Sequence, residues 1–303
     1  MPSSMQNLNQ GARRLMQPAA PLLRAVQLWL DAEGLRMSAA MSFYGMLSLA
    51  PLLLLLVGVL GWWVDKAYLE SSLVAQVQGV MGERGAEVVR MALASAKAPA
   101  QGWLASIAGF VLLLSGATGV FAELQSALAR LWVHGRAAPE RKPWWHMASL
   151  RLRGLAYVLA IGFLLLISLV LSTAIKVLAT WAGALLPFGA GVLLQFVNEA
   201  VAFAVAVLLF VGLMRIGSGP KPPLSCLVLG AAVGAALFTA GKQLLAWYLS
   251  TAAVVSAYGA AGSLVVLLMW IYFSSAVLLF GASCARALDE ARTAAGAQPV
   301  GQG

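Results

Sequence analysis

Uninterrupted apolar runs of about 20 residues recur along this chain, the length an α-helix needs to cross a bilayer core of roughly 30 Å. Examples are "PLLLLLVGVLG" from Pro51, "GFLLLISLVLS" from Gly162 and "LVVLLMWIYFSSAVLLF" from Leu264. Of the 303 residues, 61% are hydrophobic and 10% charged, against roughly 25% charged in an ordinary soluble domain. A β-barrel is excluded, because its strands would show short alternating segments instead. The chain reads as an all-α integral membrane protein.

Six spans are expected, near residues 38–62, 103–122, 154–176, 191–214, 224–246 and 258–284. They form a compact bundle with amphipathic helices at both faces. Residues 182–190 contain Pro187 and Gly189 and read as a broken lead-in to span four. No cleavable signal peptide is expected, since residues 1–35 hold no continuous apolar core. Three parts follow: an arm over 1–35, a membrane domain over 36–288 with an outer helical loop at 64–101, and a disordered tail over 289–303.

Fourteen of the twenty lysines and arginines fall in the arm, in the loops after spans two and four, and in the tail. Four, Lys66, Arg84, Arg90 and Lys97, lie in the outer loop beside Asp65, Glu70, Glu83 and Glu87. The positive-inside rule then puts both termini in the cytoplasm. The net charge of +9 reflects this topology and anionic lipid rather than nucleic acid, and membrane lipids are the expected partners. Trp62, Trp63, Trp103, Trp181 and Trp247 mark the outer interface, and Trp132, Trp144 and Trp145 the inner one. Cys226 and Cys284 read as reduced structural thiols.

In the arm, Leu22, Leu23, Val26, Trp29 and Leu30 share one helical face, as in a helix lying in the inner interface. Residues 64–101 read as two short amphipathic helices, broken at Gly79, Gly82 and Gly85, that form either a lid or a shield for loop backbone. "FAELQSALARLWVHGR" continues span two as a polar-faced helix.

Span one carries Ser38, Ser42, Tyr44, Gly45, Ser48 and Pro51 within about half of the helix circumference. Phe43, Leu47 and Leu54 face the other way. Small and hydroxyl-bearing residues in lipid belong on helix contacts or a wet interior, so this face points inward. Pro51 removes one backbone hydrogen bond. Ser115 and Gly119 in span two, Gly230 and Gly234 in span five, and Gly259 and Ser263 in span six repeat the small-residue spacing of close helix contacts.

"AAMSFYGMLSLAPLLLLLVGVLG", "GVFAELQSALARLW", "LRGLAYVLAIGFLLLISLVLS" and, most closely, the stretch from "LVLGAAVGAALFTAGKQLLAWYLS" to "WIYFSSAVLLFGA" resemble the YihY/BrkB family of bacterial inner-membrane proteins. The likeness covers about residues 20–288. Ala129 stands where that family usually has Asn. The resemblance implies a six-helix inner-membrane protein; the ribonuclease label once given to members has to be weighed against the residues.

A metal-dependent nuclease needs clustered His and carboxylate ligands. The two histidines, His134 and His146, flank Glu140 in a loop with Arg136, Arg141 and Lys142, whose charges would repel a cation. No nucleophile elbow, phosphate loop or paired-cysteine motif is present. No catalytic residue, metal or cofactor is expected.

Ionisable residues within the spans carry the functional expectation. Counting 1.5 Å per residue, Glu199 lies roughly 22 Å, Lys242 roughly 27 Å and Lys176 roughly 32 Å from the inner boundary. A buried carboxylate there costs several kcal/mol unless paired or hydrated. Glu199 with Lys242, Asn198, Lys176, Tyr248 and Tyr258 would line an outward polar pocket for an amphiphilic, lipid-like substrate. The alternatives are snorkelling lysines or a structural Glu199–Lys242 pair, and a scaffold or envelope assembly factor that transports nothing. No selectivity filter or convincing inverted repeat is visible.

Overall fold

A computed structural model describes residues 20–60, 65–97, 103–133, 190–216, 220–251 and 262–296. These residues form helices α1 (Ala20–Asp31), α2 (Gly34–Leu60), α3 (Lys66–Lys97), α4 (Trp103–Val133), α5 (Ala190–Ile216), α6 (Leu224–Thr251) and α7 (Gly262–Gly296). No strand occurs among the described residues. Three spans, Phe196–Ile216, Leu224–Tyr248 and Leu264–Ala294, are long and apolar enough to cross a membrane. They correspond to expected spans four, five and six. The expected third span, 154–176, lies outside the described residues.

Local chemistry sets the helix ends. Glu33 takes a left-handed backbone, φ 56°, the conformation that commonly stops a helix just past its C-terminus, and so separates α1 from α2. The Asp65 carboxylate accepts from the Tyr68 amide at 3.0 Å, an N-cap that opens α3. Pro220, Pro222 and Pro223 cannot extend a helix backwards, because they lack amide donors. The Pro223 carbonyl instead accepts from the Cys226 and Leu227 amides at 3.0 and 3.1 Å and starts α6.

The chain divides into two units. One holds Met1–Ala32, Leu128–Ala236 and Leu278–Gly303; the other holds Glu33–Ala127 and Leu237–Val277. In the first, the core gathers Ala25 and Leu28 of α1, Leu128, Leu131 and Trp132 of α4, Met214 of α5, Cys226 and Leu227 of α6, and Leu279 of α7. In the second, Ser38 and Met41 of α2, Leu124 of α4 and Val266 of α7 are buried.

Several sequence expectations change at this level. The outer loop is one helical hairpin broken only at Gly82, whose φ of 77° and ψ of −177° interrupt α3. Val89 and Leu93 pack with Val74, Val77 and Leu49, which ties the hairpin to α2. Glu83 joins its two arms, accepting from Gln78 and from Arg90. The region expected to be disordered from 289 is helical through Gly296. Trp132 is fully buried instead of lying at an interface.

Candidate functional site

The polar side of α2 is a packing seam. Ser38, Ser42 and Ser48 are buried, while Phe43 and Leu47 are exposed. Each hydroxyl donates to a carbonyl of its own helix: Ser38 to Gly34 at 2.7 Å, Ser42 to Ala39 at 2.8 Å and Ser48 to Gly45 at 3.0 Å. Such back-bonding lets a hydroxyl enter an apolar interior with its donor satisfied. A β-carbon at Gly45 would sit 3.3 Å from Ile271 of α7, and one at Gly116 would sit 2.8 Å from Ser48. One at Gly119 would run into the Tyr44 ring. α2 stays helical through Pro51. The side chains of Pro51, Ser115 and Ser263 lie outside the described residues, as does all of Gly259.

The first unit contains the closest approach of one helix backbone to another at these glycines. A β-carbon at Gly230 of α6 would meet the Gly281 carbonyl and, at 2.7 Å, the backbone nitrogen of Ala285. At Gly234 it would lie 2.8 Å from the Phe210 ring of α5. Backbones so close gain dispersion contacts that larger residues would prevent. Sequence reasoning missed Gly281, although the small residues of "FGASCARA" around it were the available signal. Gly241, whose β-carbon would enter the Phe273 ring, was missed as well.

A charge network was also missed. Arg286 is buried and reaches Asp289 and Glu290, both at 3.2 Å. Glu290 also takes Arg24 of α1 at 2.9 Å, and Arg292 donates to Ser225 at 2.6 Å. The i,i+3 and i,i+4 spacing of Arg286 to the carboxylates marks it in the sequence. The positive-inside count had used Arg286 and Arg292 only as surface charges. Here Arg286 braces the Glu290 that holds Arg24 of α1, and Arg292 fastens α6 to α7.

The expected pocket residues are spread over both units. On α5, in the first unit, Glu199 is exposed and Asn198 half-buried. The Asn198 side-chain oxygen is buried with no hydrogen-bond donor. Between Ala190 and Met214 the polar residues of this helix are Gln195, Asn198 and Glu199. On α6, in the second unit, Lys242 is half-buried and Tyr248 exposed. Lys176 and Tyr258 lie outside the described residues. Asn198 and Glu199 are adjacent on α5, and the carboxylate lies at the surface of its unit.

Among the described residues no three His, Cys, Asp or Glu side chains converge as metal ligands; His134, Glu140 and His146 lie outside them. Cys226 and Cys284 are buried and unbridged. A groove of about 500 Å³ runs along the α3 hairpin, lined by Glu70, Val74, Gln78, Arg90 and Leu93 among others.

A model of the family described as virulence factor BrkB matches residues 25–301. Over shorter stretches the chain is similar to proteins named UPF0761 membrane protein. It is 34% identical over 106 residues to one from Pasteurella multocida (strain Pm70), covering 35% of this chain and 32% of that protein. To one from Actinobacillus pleuropneumoniae serotype 5b (strain L20) it is 38% identical over 88 residues, 29% of this chain and 32% of the relative. To one from Haemophilus influenzae (strain PittEE) it is 44% identical over 62 residues, 20% and 23% respectively. The chain thus matches a third or less of the length of each of these relatives. No solved structure matches it.

Proposed function

The chain belongs to the BrkB virulence-factor family of membrane proteins, and from that premise we propose that it moves or presents an amphiphilic substrate, a lipid or lipid-linked intermediate. The route is a polar, outward-facing pocket in the outer half of a six-span bundle, in a bacterial inner membrane with both termini cytoplasmic. The protein acts on this substrate without catalysis.

The observation that carries the reading is the pair on α5. A buried carboxamide oxygen without a donor costs about 1–3 kcal/mol. At Asn198 it sits beside a carboxylate, in a helix that carries no polar residue from Ala200 to Met214. An ammonium or hydroxyl headgroup supplies what both groups lack: a donor for Asn198 and a partner for Glu199. Its acyl chains would lie against the exposed apolar residues of the same helix, Phe196, Val197 and Phe203.

The test uses full-length protein in nanodiscs and native mass spectrometry of the lipid it retains. Glu199→Gln and Asn198→Leu should each lower retained lipid several-fold at unchanged folded yield. Retention equal to that of the unsubstituted protein would remove the pocket and leave an assembly or scaffolding role.

A further inference from the structure

Helix α1 presents three different sides. At 100° per residue, Ala25, Leu28 and Ala32 occupy an arc of about 60°, and all three are buried. On one flank, Leu22, Leu23, Val26 and Leu30 cover an arc of about 100°, and all four are exposed. On the other flank lie Gln27 and Asp31, also exposed. A helix free in water would not expose four large apolar residues in one stripe, and a helix inside a bundle would not show two polar ones. The three-sided pattern suits a helix lying in a membrane surface: protein on one side, lipid on the second, water on the third.

The buried side is fastened. Arg24 pairs with Glu290 at 2.9 Å, and the Trp29 ring meets the Phe280 ring edge-on, centroids 6.1 Å apart. Both partners belong to α7, one of the membrane-crossing candidates. Periodicity alone had placed Trp29 on the lipid stripe, whereas the structure turns it toward α7 and so narrows the exposed stripe to leucine and valine.

The surroundings match a phospholipid boundary in both character and charge. Arg292 bonds Ser225 at the start of α6, and Lys221, just before that helix, donates to the Arg215 carbonyl at the end of α5. Arg215, Lys221 and Arg292 are all exposed. They gather at the end of this unit to which α1 is fastened, where Leu224, Val228 and Leu229 of α6 also expose apolar surface. Apolar side chains beside cationic ones complement acyl chains beside phosphates.

We infer that the Leu22–Leu23–Val26–Leu30 flank of α1 is a lipid-docking surface, seated at the headgroup–acyl boundary on the side of the membrane where α7 ends, with Gln27 and Asp31 facing water. This surface is separate from the proposed substrate pocket. It makes α1 a fixed part of the membrane domain and not a soluble appendage.

The test places one bimane fluorophore on full-length protein, at Leu23→Cys or at Gln27→Cys, in nanodiscs of phosphatidylcholine with phosphatidylglycerol. Both positions are exposed, so neither change disturbs the core. Cys226 and Cys284 are buried, and the unsubstituted protein measures any label they take. The Leu23 probe should be quenched several-fold more strongly by lipid carrying a nitroxide near the ester than by aqueous iodide. The Gln27 probe should show the reverse order. Iodide quenching at both positions would overturn the assignment. So would a Leu23 probe shielded from both quenchers, which would mean that protein, a second copy or another partner, covers the flank.

Discussion

At the scale of single residues, polarity in this chain is used mostly to hold helices together. Ser38, Ser42 and Ser48 spend their hydroxyl protons within α2, so they add narrow, self-satisfied contacts and offer no free donor to a substrate. Arg286 shows the same economy with charge. Buried almost completely, it meets two carboxylates one turn on, an arrangement in which loss of either partner would leave a costly buried charge. Asn198 departs from the pattern, since its oxygen is buried without a donor, and the proposed headgroup site rests on that departure. Glycine supplies the sharpest test of close packing. At Gly230 a methyl group would strike the Gly281 carbonyl and the Ala285 backbone, and neither is a flexible chain end that can swing aside. Gly230→Ala should therefore cost about 1–3 kcal/mol, the usual range for overpacking. A clear fall in the thermal midpoint of detergent-solubilised protein is expected. An unchanged midpoint would show that α6 and α7 are not so closely apposed.

At the scale of elements, apolar run length reveals where a helix meets lipid, and less about where the helix itself ends. The boundaries of α5 and the start of α6 match the hydropathy reading within two residues, because in both the apolar run and the helix stop together. α7 was read too short, since Arg286, Asp289 and Glu290 satisfy one another along the helix and extend it past the lipid-facing part. Trp132 was misassigned for a related reason: a tryptophan near a span's end has the same composition whether it faces headgroups or a protein core. At the candidate site, Asn198 and Glu199 stood out as polar residues in an apolar run. The lack of a donor for Asn198 depends on neighbours that no single sequence displays. In α3, three glycines suggested breaks and only Gly82 provides one, because the backbone adopts a left-handed φ there alone. Gly82→Ala should cost about 1 kcal/mol or more, as a β-carbon is strained at that φ. Gly79→Ala meets nothing within 4 Å and should be neutral or stabilising by up to about 1 kcal/mol, the difference in helix propensity. Hydrogen exchange along residues 66–97 would separate the two, with faster exchange in the first variant only. Equal effects would contradict the single break.

At the scale of the whole molecule, the decisive quantity is the parity of the spans. An even number returns the chain to the side on which it began; an odd number leaves the termini on opposite sides. The described helices include three apolar spans, and the run at 154–176, outside the described residues, determines whether the expected total is six or five. Charge bears on this independently of hydropathy. Fourteen lysines and arginines fall on the expected inner side against four in the outer loop, and the excess held inside is what orients such proteins. Arg136, Arg141, Lys142, Arg151 and Arg153 all precede the run at 154–176. With five spans the C-terminus, with Arg286 and Arg292, would be external, against the charge rule. With six, the arm, this basic loop and the C-terminus all remain inside. An enzyme reporter active only in the cytoplasm should therefore be active when fused after Gly303 and inactive when inserted at Gly82, and one active only outside should give the opposite result at both positions. An external reading at Gly303 together with an external reading at Gly82 would establish an even number of crossings between them, in place of the expected five, and remove one of the six spans. It would also place the Arg24–Glu290 ion pair that fastens α1 to α7 on a side the charge distribution does not favour.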